Sequence, residues 1–543
     1  MFTKILIANR GEIAVRVART CRELGIGTVA VYSSADRDSA VVRLADEAVH
    51  IGPPPARNSY LSVPAVIEAA LATGVQAIHP GYGFLSEDPD FAEVCADNGL
   101  VFIGPEPQAM RALGDKAMTR ALMRDAGLPL LPGTVEPVST TAEALAAAEE
   151  IGFPVILKAV AGGGGRGMTV VHHRQDLSPA FQQTRAAAAA VFGDGRVYLE
   201  RYLAGARHVE VQVLCDQYGN GVYLGDRDCS TQRRHQKLVE EAPAPNLSEH
   251  TRAAMGTASV KGALEVGFTG AGTMEFLVDG ADEFYLMEMN ARLQVEHPVT
   301  EMVTGIDLVE QQIRVALGEK LQFDQSDVTL RGSAIECRIN AEDPDQDFRP
   351  TPGTVERFEM PGGAFTRVDT HVFAGYVVPP HYDSLVAKLV TWAPDRSRAV
   401  ARTRRALDEV VVEGPRLRTT ACFAAEIVDH PLFRTARHTT DLVGQIFAGR
   451  ETARENEESS VTNTIPGLDP EALQQILVND VGIDSVALAQ QPDAVLSDLG
   501  LDSMAQVELG VVLHSRHGVK ELPEDAHTMS LRDLANHLCG MST

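Results

Sequence analysis

The sequence predicts an α/β body followed by a small all-α domain, and three observations carry that prediction. Strand and helix signals alternate from the first residues, as in an open parallel layer. A glycine run, Gly162-Gly163-Gly164-Gly165-Arg166-Gly167, lies between two β-type segments and not between a strand and a helix. Residues 466–543 place apolar side chains at helical spacing behind a polar, charged stretch.

Taken in order, Lys4 to Ala8 is a short apolar run. A helix follows from Gly11 to about Leu24, with Ile13, Val17, Cys21 and Leu24 recurring at helical spacing. Thr28 to Tyr32 is the next strand, and Ala77–His79 and Val101–Ile103 close two more units. No Gly-x-Gly-x-x-Gly follows the first strand, so the dinucleotide fingerprint is absent. From about Asp115 to Leu330, strands are expected at Val155–Ala159, Val197–Glu200 and Glu210–Leu214, with a hairpin over Gly272–Asn290. Arg331 to about Arg450 holds strands at Ser333–Arg338 and Leu385–Thr391, then a helix from about Arg396 to Leu407. Glu451 to Thr464 is too polar to bury a core and reads as a flexible linker. Helices are expected near 470–480, 503–515 and 530–538.

Bulk properties bound the function. A chain of 543 residues predicts several domains. No apolar run approaches the roughly 20 residues that span a bilayer, and Met1 to Ala8 reads as a first strand, not an export signal. Seven scattered cysteines without a Cys-x-x-Cys pair indicate free thiols and a cytoplasmic protein. The net charge is -26, and residues 451–543 carry 16 acidic and 4 basic side chains. Such a tail is repelled by nucleic acid and by anionic membranes; it suits basic patches on partner enzymes, though plain solubility explains the charge equally well.

The chemistry lies in the second part. Glycines let backbone N–H groups crowd a phosphate, so the run after Lys158 is expected to be a hairpin flap over a nucleotide, with Lys158 and Lys116 supplying charge. A plain flexible loop is the bland alternative. Glu275 lies on one expected strand, Glu288 and Asn290 on the next. Alternation puts residues 288 and 290 on one face, pairing brings Glu275 towards it, and Met287 and Met289 are expected to face the core. Two carboxylates and an amide oxygen suit Mg²⁺; a solvated polar face is the alternative. Arg292 can fork onto a small oxyanion, and Glu296 is placed for general-base work. His235, Lys237 and Arg338 are further candidates for anion contacts, each weak alone.

These residues also carry a resemblance. Asn9-Arg10-Gly11-Glu12-Ile13-Ala14, the stretch His79 to Glu87, the glycine flap, Gln232 to Lys237, Glu288 to Pro298 and Glu336 to Asp343 together closely resemble biotin carboxylase, the ATP-grasp component of acetyl-CoA and related acyl-CoA carboxylases. The resemblance covers residues 1 to about 447 and implies three domains: an N-terminal α/β domain (1–114), an ATP-grasp domain with a glycine-rich lid (115–330) and a C-terminal domain (331–447). It implies an ATP-dependent ligase. Lys116, Lys158, His208, His235, Gly163, Gly164 and Gly165 would bind ATP, and Glu200, Arg201 and Leu203 would form the adenine-side hinge. Glu275, Glu288 and Asn290 would hold Mg²⁺ or Mn²⁺. Lys237, Arg292, Gln294 and the Val295 backbone would hold bicarbonate. Glu296 would deprotonate it for attack on the γ-phosphate, giving carboxyphosphate. Arg338 would stabilise the biotin enolate and the departing phosphate, while Tyr82 and Gln232 line the biotin pocket. Of the expected positions only Ala161, where glycine is usual, departs from the pattern.

No Met-Lys-Met of a biotinyl domain occurs. Biotin would therefore arrive on a separate biotin carboxyl carrier protein, and a carboxyltransferase subunit would complete the reaction. A homodimer is possible by resemblance alone. Beyond a linker at 448–465, Leu499-Gly500-Leu501-Asp502-Ser503-Met504 precedes the apolar pattern Val507, Leu509, Val511, Val512 and resembles an acyl or peptidyl carrier protein of four helices. Ser503 would then take 4'-phosphopantetheine from a phosphopantetheinyl transferase, with Asp502 at the helix N-terminus, where negative charge is favoured. A helical docking domain with a chance Asp-Ser is the alternative. Three function classes follow: a biotin carboxylase tethered to a carrier in fatty acid or polyketide biosynthesis, an ATP-grasp ligase carboxylating a carrier-bound non-biotin acceptor, and a scaffold with a vestigial enzyme.

Overall fold

The structure, a computed structural model, describes residues 1–114, 116–160, 167–460, 470–490, 494–517, 519, 522–523 and 525–539, with only the backbone given at some helical positions, Lys116 and Ser503 among them. The elements below are those of the described residues. They form two compact units, Met1–Gln445 and Ile446–Thr543. No helix among them is long and apolar enough to cross a membrane.

The first layer follows the alternation of the sequence. β1 (Lys4–Ile7), α1 (Gly11–Glu23), β2 (Gly27–Ser33), β3 (Glu47–Gly52), β4 (Ala77–His79) and β5 (Val101–Phe102) build a parallel sheet of order β3-β2-β1-β4-β5. Ile5, Leu6 and Ile7 are fully buried at its centre, and Ile13, Val17 and Cys21 of α1 pack on one face. β3 was not anticipated, because Glu-Ala-Val-His-Ile-Gly lacks an apolar run; it is an edge strand, where polar residues are tolerated.

A small separate sheet holds the strands around the glycine run. β6 (Val155–Ala159) pairs antiparallel with β7 (Met168–Val171) and with β8 (Val197–Arg201). The hairpin arrangement is the expected one, but Ala161 to Arg166, including Gly163, Gly164 and Gly165, lie outside the described residues.

The main sheet is larger than the division at residue 330 implied. β9 (Arg207–Cys215), β10 (Gly221–Arg233), β11 (Gln236–Ala242), β12 (Gly270–Val278), β13 (Phe284–Asn290), β14 (Ser333–Asn340), β15 (Thr366–Thr370) and β16 (Leu385–Ala393) form one eight-stranded sheet of order β13-β12-β9-β10-β11-β14-β16-β15. The β11–β14 ladder joins residues on both sides of that division, from Val239↔Cys337 to Ala242↔Ala334. Second and third parts of the chain therefore share one hydrogen-bonded layer.

One expectation for the C-terminal region needs correction. The polar stretch from Glu451 is helical at least as far as Ser460, since α2 runs Leu442–Ser460. Its Glu, Ala and Arg content favours helix even without a core to bury. α3 (Pro470–Asn479), α4 (Ser485–Gln490), α5 (Ser503–His517) and α6 (Leu531–Cys539) follow. Leu473, Leu477, Leu488, Leu501, Leu509, Leu513 and Leu534 form their shared core. Val507 and Val511 do not join it; they are 67% and 62% exposed. Helical geometry explains this: with Leu509 and Leu513 pointing inward, a residue two places away points roughly to the opposite side.

Candidate active site

The β12–β13 hairpin sets Glu275 directly opposite Glu288 and Thr273 opposite Asn290. Cross-strand partners share a face, and residues 288 and 290 share one by alternation, so the three oxygen-bearing side chains come together as expected. Met287 does not face the core. It is 40% exposed, whereas Met289 is buried. The register slips between Glu275 and Phe276, whose partner is Leu286, so Met287 is the extra residue of a β-bulge. Glu275 is buried and heavily engaged: Asn290 Nδ2 and Gln294 Nε2 donate to Oε1 at 3.0 and 2.8 Å, and His208 Nε2 lies 3.1 Å from Oε2. Burial alone would raise the Glu275 carboxyl, but Lys237 and His208 hold it well below the ordinary range.

β10 and β11 bring Lys237 to this hairpin. Their two-residue turn, Arg234-His235, has positive φ at both positions (47° and 66°), the backbone twist that tight hairpins require. Lys237 Nζ donates to Glu210 Oε2 at 2.7 Å, Glu275 Oε1 at 3.1 Å and Glu296 Oε1 at 2.6 Å. Arg338, from β14, reaches Glu296 Oε2 at 3.0 Å and Glu240 Oε1 at 2.6 Å. Glu296 is only 2% exposed. Burial would raise its carboxyl, but Lys237, Arg338 and Arg227 outweigh that and keep it well below the usual value. Glu240 goes the other way. Burial, joined by the Glu296 charge, outweighs Arg338 and pushes it up to about 7.

The loop after β13 carries Arg292, Gln294 and Val295. Arg292 Nε donates to Glu87 Oε2 at 2.8 Å. Gln294 Oε1 accepts from Arg227 at 3.1 Å. Arg227 is fully buried and also serves Glu210, Gln212, Thr273 and Thr300, so one guanidinium fixes both strands and loop. The Val295 carbonyl accepts from Lys388 at 2.9 Å. Tyr82 donates to Glu12, and Gln232 stands opposite Lys237 in the β10–β11 register.

Lys158 and Glu200 form an ion pair across the small sheet, and Arg120 Nη1 joins Glu200 at 2.6 Å. Arg201 donates to the Ile151 carbonyl at 3.1 Å, beside the half-buried Leu203. Burial, with His208 and Lys158 nearby, lowers the His235 imidazole. The Lys116 backbone begins a helix, Lys116–Asp125; its side chain lies outside the description. In the C-terminal unit, Asp502 Oδ1 accepts from the backbone N–H groups of Met504 and Ala505 at 3.0 and 2.8 Å, capping the helix that Ser503 opens.

Sequence reasoning gave no role to Glu12, Glu87, Arg227, Glu210, Glu240 and Lys388. A signal existed for the last: Leu-Val-Ala-Lys-Leu-Val-Thr-Trp-Ala is an apolar strand interrupted by one charge, and such a charge is buried only with a partner. Arg227 and Glu210 give no comparable signal, because their pairing spans two strands whose register is set elsewhere.

Three family models match the chain: biotin carboxylase, N-terminal domain, over residues 1–110; carbamoyl-phosphate synthase L chain, ATP binding domain, over 115–324; and biotin carboxylase C-terminal domain, over 336–445. Biotin carboxylase of Nostoc sp. is 52% identical over 445 residues, covering 82% of this chain and 99% of that protein. Among solved structures, a complex of biotin carboxylase from Campylobacter jejuni has a TM-score of 0.79 at 46% identity, covering 82% of this chain and 99% of its own. The biotin carboxylase domain dimer of Hydrogenobacter thermophilus 2-oxoglutarate carboxylase, in complex with MgADP, ADP and bicarbonate, has a TM-score of 0.78 at 46% identity, covering 82% and 98%.

Proposed function

The chain belongs to the biotin carboxylase family of ATP-dependent ligases, and from that premise we propose that it carboxylates biotin held on a separate carrier protein, using ATP and bicarbonate. The observation that carries the reading is the convergence of Lys237, Glu296 and Arg338 beside the Glu275–Glu288 hairpin. Glu275, Glu288 and Asn290 offer the hard oxygens magnesium prefers, and Glu275 is ionised and buried as a ligand should be. When bound, the metal would neutralise phosphate charge.

The protein's own groups do the rest. Lys237, Arg292 and the Val295–Gln294 loop hold bicarbonate. A bound anion competes for Lys237, which relieves Glu296 of one of the cations that depress its basicity; Glu296 then takes the bicarbonate proton. A bicarbonate oxygen bonds to the γ-phosphorus as the bond to ADP breaks, with Lys116, Lys158, His208, His235 and the flap glycines positioning the nucleotide. Glu200, Arg201 and Leu203 contact its adenine side. Tyr82, Gln232 and Arg338 receive biotin. A carboxyltransferase subunit completes the overall reaction, and the enzyme works as a homodimer. Bicarbonate-dependent ATP hydrolysis stimulated by free biotin tests this; hydrolysis indifferent to biotin points instead to a non-biotin acceptor and overturns it.

For residues 466–543 we infer a carrier domain bearing 4'-phosphopantetheine on Ser503. The Leu-Gly-Leu-Asp-Ser-Met motif supports it, as does the Asp502 cap that places the serine at a helix start. Mass measurement after incubation with a phosphopantetheinyl transferase and coenzyme A should show a gain that Ser503→Ala abolishes. No gain, or a gain that survives the substitution, removes the carrier reading.

A further inference from the structure

Lys388 is fully buried within β16. Its Nζ donates to the Val295 carbonyl at 2.9 Å and lies 3.1 Å from Glu12 Oε1. Glu12, in the first turn of α1, is buried too, and the same Oε1 accepts the Tyr82 hydroxyl. The ammonium also sits 5.8 Å from the centre of the Tyr82 ring. Four stretches far apart in sequence thus meet at one ion pair. On one side is the loop assigned to bicarbonate; on the other is the tyrosine assigned to biotin.

A buried ion pair is weak as a source of stability, because desolvation of both charges offsets their attraction. Packing alone would be served as well by an apolar residue in an otherwise apolar strand. What an apolar residue cannot do is fix a carbonyl and a carboxylate at once. Burial acts to lower the Lys388 pKa, but Glu12 on α1, Glu336 on β14 and Asp369 on β15 outweigh it, against Arg367, and leave the amine charged.

We propose that Lys388 and Glu12 are a positioning couple that sets the Val295 peptide and the Tyr82 hydroxyl together, so that the bicarbonate and biotin subsites are aligned by a single buried ion pair. This rests on the roles of Val295 and Tyr82 in the function proposed above. Neither residue of the couple needs to touch substrate. Removing the pair should disturb two substrates and spare the third, because the nucleotide contacts lie on the small sheet, on β9, in the β10–β11 turn and on the helix that Lys116 opens, not on the strand, helix and loops that the pair joins.

Steady-state kinetics on the full chain test it. Lys388→Met should raise KM for bicarbonate and for free biotin by about tenfold each while KM for ATP stays within about twofold, the effect expected of one lost buried hydrogen bond to a charged group. Lys388→Arg, which keeps the charge, should recover part of both losses. Unchanged KM values for bicarbonate and biotin, or a parallel rise for ATP, would overturn the proposal. Should Lys388→Met not fold, Glu12→Gln keeps an acceptor oxygen without the charge and should also raise both KM values; a rise for biotin alone overturns the coupling. An inactive natural chain removes the function reading and this inference together. An active chain with unaltered Lys388→Met kinetics removes the inference alone.

Discussion

Glu296 is held between Lys237 at 2.6 Å and Arg338 at 3.0 Å with almost no exposure, so its protonation is set by neighbours and not by solvent. Glu296→Gln keeps the hydrogen-bonding shape but cannot accept a proton. It should lower kcat of biotin-stimulated ATP hydrolysis by about 10²–10⁴, with KM for ATP little changed. Glu240 offers a pH signature. Its folded pKa, pushed up to about 7 by burial, lies above its unfolded value, so its stability contribution is full below about 4.5 and lost as pH rises through about 7. Glu240→Gln should flatten that decline in chemical denaturation measured across the range. At this scale the sequence named most of the charged residues that meet at the centre, because motif carries residue type and spacing. It did not name Arg227 or Glu240, whose importance comes from pairings across strands that no local pattern encodes.

Hairpins and their bulges determine where those side chains point. The alternation that placed Glu288 and Asn290 together holds, while Met287 escapes it because one inserted residue interrupts the period. A bulge leaves no mark in composition. A second arrangement that composition does not mark lies near the end of the first unit. His438 is buried with Nε2 3.4 Å from Asp228 Oδ1 on β10 and 3.5 Å from Glu241 Oε1 on β11. Burial would lower its pKa, but Asp228 and Glu241 raise it above the usual 6.5, with Arg207 opposing. A raised histidine stabilises fully below its unfolded pKa and loses that contribution as pH rises through the folded one. His438→Gln should therefore cost about 1–3 kcal/mol at pH 6 and progressively less in alkaline buffer. A plot of denaturation free energy against pH for both proteins checks this; parallel curves would contradict it. The linker expectation missed the helix through Ser460 because polar composition rules out a core, not a helix.

On the scale of the whole chain, the layered α/β body was legible from alternation. Strand order was not. Nothing in the sequence announces that β11 pairs with β14 and so joins residues on either side of 330. The compact unit Met1–Gln445 has its own cores and lacks none of the central charged residues. Residues 1–460 alone should keep biotin-stimulated, bicarbonate-dependent ATP hydrolysis at a rate comparable to the full chain, while losing the mass gain assigned to Ser503. A dead truncation that still melts cooperatively would mean that the acidic helices take part in the chemistry.

β6, β7 and β8 share no ladder with the eight-stranded sheet. On the function proposed above, these three strands and the nucleotide contacts they carry can thus shift without breaking a rung of the layer that holds Lys237 and Arg338. In that reading nucleotide would exchange at a separately hydrogen-bonded part, while the strands behind the small anion keep their register from one turnover to the next.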